Sequence, residues 1–183
     1  GWPSALSLPT ASGKTACMDI AVFALAAQAH LPTEQRTAAR SIIFVVDRRI
    51  IVDQAHSRAG RIVQRLQDAT DGVLAEVAAR LRSLSDGPEP LVCVVLRGAM
   101  HREDLWLRSA AQPTIVVSTV DQIGSRLLFR GYGVSPRMRP VHAALAANDA
   151  LIFVDEAHCS IPFVQTVHRI AAYRQLAGNS VGG

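Results

Sequence analysis

The sequence predicts an α/β fold: a mainly parallel sheet with helices on both faces. Three observations carry this expectation. Short apolar, β-branched runs recur along the chain, the clearest being Ser41-Ile42-Ile43-Phe44-Val45-Val46. Longer segments with apolar residues near helical spacing lie between them. Ile115 to Val117 and Leu151 to Val154 are apolar throughout, as expected of strands covered on both faces.

Taken in order, Ala5 to Leu8 is a candidate first strand, followed by a turn and a helix over Lys14 to Ala29. Ser41 to Val46 is the second strand. Apolar residues from Arg49 to about Leu66 recur at helical spacing, and Gly72 to Leu84 reads as another helix. Ser85-Asp86-Gly87-Pro88-Glu89-Pro90 is a loop by its turn chemistry. Leu91 to Leu96 and Thr114 to Ser118 are the third and fourth strands. Val120 to Phe129 reads as a helix, and Gly131-Tyr132-Gly133-Val134-Ser135-Pro136 as a loop. Leu151 to Val154 is the fifth strand, and Val164 to Leu176 a closing helix.

The chain has 183 residues, 49% hydrophobic and 19% charged, which suits one globular domain and excludes a disordered chain. No apolar run reaches the ~18 residues that would suggest a bilayer span. The alanine-rich stretch from Ala16 to Ala29 is broken by Asp19 and Gln28, and Gly1-Trp2-Pro3 has no basic leader. Cys17, Cys93 and Cys159 are odd in number and far apart, which fits free thiols. The expectation is a cytoplasmic protein without a membrane partner. The net charge of +4 is compatible with a polyanionic partner, and equally with a bias towards arginine.

That bias has one exception. Of the 19 basic residues, the only lysine is Lys14, in Thr10-Ala11-Ser12-Gly13-Lys14-Thr15. Lysine is a compact charge on a flexible stem, and arginine a wide planar fork. A cradle of backbone N–H groups around a phosphate has room for the first. Pro9-Thr10-Ala11-Ser12-Gly13-Lys14-Thr15 keeps the second half of the phosphate-loop pattern, with Leu8 where the first glycine would stand. Backbone N–H groups at a helix N-terminus would face the β-phosphate. Lys14 would reach the β- and γ-phosphates, and the Thr15 hydroxyl would ligate Mg²⁺. Far downstream, Leu151-Ile152-Phe153-Val154 ends in Asp155-Glu156-Ala157-His158. Acidic residues at the carboxyl end of a buried strand lie where open α/β sheets place ligands. Asp155 suits the Mg²⁺ shell, and Glu156 suits orienting and deprotonating an attacking water. Together these point to a site that binds and hydrolyses ATP with Mg²⁺. Taken singly, each has a plainer reading: a turn entering a helix, and a solvated acidic strand end.

Residues after the second and fourth strands emerge at the same sheet edge. Arg48, Arg49, Thr119, Asp121 and Arg126 are therefore candidate nucleic-acid contacts, against the plainer reading of exposed or salt-bridged side chains. Trp106 sits in an amphipathic segment and reads as packing. The remaining histidines, His158 apart, read as surface or core residues.

The Gly-Lys-Thr and Asp-Glu-Ala-His motifs together resemble superfamily 2 helicases and translocases, whose first lobe is a RecA-like domain. Val46-Asp47-Arg48-Arg49-Ile50-Ile51-Val52-Asp53-Gln54-Ala55 and Ser118-Thr119-Val120-Asp121-Gln122-Ile123-Gly124-Ser125-Arg126-Leu127-Leu128-Phe129-Arg130-Gly131-Tyr132-Gly133 lie where that superfamily has motif Ia and motif Ib with its neighbours. These strings, with Met138-Arg139-Pro140, look like the helicase part of the CRISPR-associated helicase-nuclease of type I systems, closest to the subtype formerly called I-U. The resemblance covers nearly the whole chain. It implies an ATP-driven translocase on single-stranded DNA, recruited by a guide-RNA surveillance complex and coupled to an HD-type nuclease, with His158 coupling the lobes. Ala11 departs from the glycine many relatives have. The chain shows no Ser-Ala-Thr motif, no second lobe with an arginine finger and no His-Asp nuclease cluster. It reads as one RecA-like lobe, 1–183, of a larger helicase-nuclease. Two other readings stay open: the motor lobe of a restriction-type translocase, and a nucleotide- and DNA-binding module without turnover of its own.

Overall fold

The computed structural model describes residues 2–7, 13–47, 49–85, 87–96, 106–107 and 109–180. Four strands, β1 (Ser41–Val46), β2 (Val92–Leu96), β3 (Thr114–Thr119) and β4 (Ala150–Val154), form one parallel sheet in the order β2-β3-β1-β4. The helices are α1 (Ala16–Ala27), α2 (Arg49–Asp68), α3 (Gly72–Arg82), α4 (Val120–Leu127), α5 (Arg139–Ala147) and α6 (Ile161–Ser180).

The period-2 geometry of a strand sends alternate side chains to opposite faces. Ile42, Phe44 and Val46 of β1, with Ile115 and Val117 of β3, join Met18, Val22 and Leu25 of α1, Val52 and Ala55 of α2, and Ala78 and Leu81 of α3. Ile43 and Val45, with Val116, join Ile123 and Leu127 of α4, Ala146 of α5 and Phe163 of α6. Both faces of the sheet are thus covered, which is why β1 and β3 read as continuous apolar runs. Ile42, Ile43, Ile115 and Val116 are fully buried, each worth about 1.5–3 kcal/mol relative to exposure. β4 is an edge strand, half-buried at every position.

The starting ends of β1 and β4 are clamped. Asp149, at φ +48°, accepts at its carbonyl oxygen from Ser41 N–H at 3.0 Å. Its carboxylate accepts from the almost fully buried Arg36 at 2.5 Å and from Arg40 N at 3.2 Å.

Three expectations change. Residues 5–7 form no strand, and Leu8 lies outside the described residues. Residues 3–7 are exposed, and Trp2 sets its ring edge against Phe153 at 5.0 Å. With serine at positions 4 and 7, this stretch offers too little apolar surface to hold a ladder. The helix after Val120 ends at Leu127, two residues early, because Phe129 is left-handed at φ +58°. The α5 helix occupies a stretch to which the sequence reading assigns no element. Proline at the second position of a first turn removes only an N–H that has no helical partner.

Candidate functional site

Parallel strands end together, so the residues that follow them share one edge of the sheet. The register pairs Val46 with Thr119 and Val45 with Val154. Asp155 then continues the ladder by one bond, its N–H donating to Val45 O at 2.9 Å. Glu156 follows in the left-handed region at φ +50°, ψ +48°, an uncommon conformation for glutamate and a strain of about 1–2 kcal/mol. Its N–H donates to Asp155 Oδ1 at 3.1 Å.

The only lysine comes to this edge from the other end of the chain. Gly13 takes φ +81°, and a Cβ placed there would meet nothing within 4 Å. The left-handed backbone, not crowding, is what favours glycine here. The chain turns through it, Ala16 N donating to Gly13 O at 2.8 Å, and enters α1 with Thr15 as the cap. Lys14 Nζ donates to Glu156 Oε1 at 3.2 Å, across 142 residues of sequence. Both side chains remain partly exposed, at 29% and 39%. The other carboxylate oxygen of Glu156 lies 3.5 Å from His158 Nδ1, and the His158 side chain is otherwise 75% exposed.

These groups border a cavity of about 560 Å³ that follows β4 from Leu151 to Glu156. Residues 2–7, Lys14 and Cys17, and Val164, Val167 and His168 of α6 complete its lining. Cys17 and His168 were not expected at the site. Cys17 stands three residues after Lys14, nearly one helical turn on, and so could have been inferred. His168 carries no such sequence signal. Burial raises the Cys17 thiol above its usual range; a backbone hydrogen bond partly opposes this, and the Asp155 carboxylate adds to the rise. No arginine is among the described residues lining the cavity. Chemically, the arrangement offers one ammonium group, two carboxylates and a helix N-terminus around open space, a combination suited to a phosphate accompanied by a divalent cation.

Of the expected phosphate-loop residues, Lys14 lines the cavity, Gly13 and Thr15 flank it in the turn into α1, and Thr10, Ala11 and Ser12 lie outside the described residues. Among the expected nucleic-acid contacts, Thr119 ends β3 and is half-buried, and Asp121 is exposed in the first turn of α4. Arg49 opens α2 directly after β1, at the same sheet edge, and Arg48 lies outside the described residues. Arg126 is a correction. Its side chain is fully buried, and Nη1 donates to Gln122 O and Gln122 Oε1, both at 2.9 Å. The hydrophobic face of α4 turns inward at this position, so Arg126 is held in the interior and is not a surface contact.

Among the described residues, no helix is long and apolar enough to cross a membrane. No curated protein and no solved structure matches the chain significantly. The family described as "Type III restriction enzyme, res subunit" matches residues 3–177. That span takes in all four strands, the Gly-Lys-Thr turn and the Asp-Glu-Ala-His segment, and the chain belongs to this family, a superfamily 2 helicase-type RecA-like domain.

Proposed function

We propose that this domain is the ATP-binding motor lobe of a DNA translocase or helicase. The observation that carries this reading is the meeting of Lys14 with Glu156, 142 residues apart, at the carboxyl edge of a parallel sheet. The family assignment supports it.

The residues fit a magnesium ion that arrives with the nucleotide. Mg²⁺ keeps much of its water and needs only one or two carboxylates besides phosphate oxygens. Among the described residues, no cluster of three or more His, Cys, Asp and Glu could hold a metal by itself. Thr15 and Asp155 would hold the ion, and Gly13, Lys14 and Thr15, with Thr10, Ala11 and Ser12 before them, would cradle the phosphates. The bound Mg·ATP supplies an electrophilic γ-phosphoryl group whose charge the ion helps to neutralise. Lys14 leaves Glu156 for the phosphates, which frees the Glu156 carboxylate to orient the attacking water and accept its proton. His158, exposed beside Glu156, would couple this site to a facing lobe. We read 1–183 as one RecA-like lobe. No arginine lines the cavity among the described residues, so the transition-state arginine, worth about 10³–10⁵ in related enzymes, would come from a second lobe.

Arg48, Arg49, Thr119 and Asp121 form the proposed single-stranded DNA edge. For the wider setting, the motif strings favour CRISPR type I interference, with a guide-RNA surveillance complex and an HD nuclease as partners, in the cytoplasm. The description of the matched family keeps a restriction-type translocase as the second reading. The nuclease fused to, or encoded beside, the intact protein separates these two.

Steady-state ATPase with and without single-stranded DNA tests the core reading. Turnover stimulated by DNA and abolished in Lys14→Ala is expected. Nucleotide and DNA binding without turnover in the intact protein would leave a binding module instead.

A further inference from the structure

The segment after α4 displays aromatic side chains at some cost. Helix α4 closes in a Schellman arrangement: Arg130 N donates to Ser125 O at 2.8 Å, and Phe129 N to Arg126 O at 3.0 Å. Its left-handed position, where glycine is the usual residue, is Phe129 at φ +58°. A bulky side chain there is disfavoured against glycine by the clash of its Cβ with the backbone. Burial does not repay that cost, because Phe129 is 61% exposed. Tyr132, three residues on, is 62% exposed.

The loop is nevertheless tightly built. Gly131 N also donates to Ser125 O, at 3.0 Å, and Val134 N to Gly131 O, at 3.0 Å. Gly131 is left-handed, and a Cβ there would stand 2.9 Å from Val134 Cβ. Two aromatic rings are thus held outward on a braced turn. The stretch of chain that carries them has one sign of charge. From Gln122 to Asn148 there is no acidic residue, while Arg130, between the two aromatics in sequence, and Arg137, five residues after Tyr132, are exposed. A polyanion with stackable faces uses both features.

We propose that Phe129 and Tyr132, flanked by Arg130 and Arg137, form a platform on which bases of a single-stranded nucleic acid stack. This rests on the proposed function only in expecting such a strand to be the substrate. It adds a contact separate from the edge formed by Thr119 and Asp121.

The test uses the intact protein, a fluorescently labelled oligo-dT strand and an abasic strand of equal length. Phe129→Gly relieves the backbone strain, so its thermal midpoint should equal or exceed that of the parent. Its affinity for oligo-dT should nonetheless fall about fivefold or more, as should that of Tyr132→Ala. Binding of the abasic strand, held by phosphate contacts alone, should be unchanged, as should Mg·ATP affinity. Parental affinity of both variants for oligo-dT overturns the proposal. So does an equal loss on the abasic strand, or a parent that binds no oligo-dT. If Mg·ATP fails to bind while Phe129→Gly still loses oligo-dT, the motor reading falls and the platform stands.

Discussion

Replacing Glu156 by glutamine should weaken catalysis and tighten nucleotide binding at once. In the structure Glu156 holds Lys14 at 3.2 Å, and nucleotide must break that pair before Lys14 can reach its phosphates. With the two side chains 29% and 39% exposed, such a pair is worth at most about 1 kcal/mol. Glutamine keeps the shape and removes the charge that competes for Lys14. Affinity for Mg·ATP should therefore rise by up to about fivefold, since 1.4 kcal/mol corresponds to tenfold. The gain should shrink as salt screens the pair in the parent. Turnover should fall by ~10²-fold or more, because the amide cannot accept the proton of the attacking water. Calorimetric titration gives the first quantity, and steady-state ATPase of the intact protein the second. Weaker binding by Glu156→Gln would refute the competition, and surviving turnover would show that another group activates the water.

Lys14→Ala should weaken Mg·ATP binding at least tenfold, roughly 1.4 kcal/mol, with little change in the urea midpoint because its ion pair is partly exposed. Arg126→Ala should do the reverse: it leaves a cavity and strips the Gln122 acceptors of a partner. About 2–4 kcal/mol of stability should be lost in urea unfolding, while the folded protein binds DNA within about twofold of the parent. Thiol labelling at pH 8 should modify exposed Cys159 and spare Cys93 in the folded protein. Burial pushes the Cys93 pKa up to about 12, so it stays protonated below that pH and only about one thiol in ten thousand is ionised at pH 8. Rapid modification of Cys93 by mass spectrometry would contradict its placement.

Local chemistry made some of this protein legible in its sequence. Ile42 to Val46 and Ile115 to Val117 are continuous apolar runs because both faces of the sheet are covered, so the α/β class follows from them. An acidic pair that follows such a run stands at the carboxyl end of a strand whatever its neighbours are, which located Asp155 and Glu156. The single lysine in an arginine-rich chain marked the turn into α1. Other features depend on contacts between distant segments, and no local pattern encodes them. The order β2-β3-β1-β4 sets Glu156 opposite Lys14, and the fate of Ala5 to Ser7 depended on whether they could bury enough surface to pair. Arg126 and Arg130 are the same residue type four positions apart, yet the hydrogen bonds to Gln122 and the inward face of α4 take one inside while the Schellman turn leaves the other in water. Whether an arginine grips DNA or a helix is decided by which partners the fold brings within reach of its guanidinium.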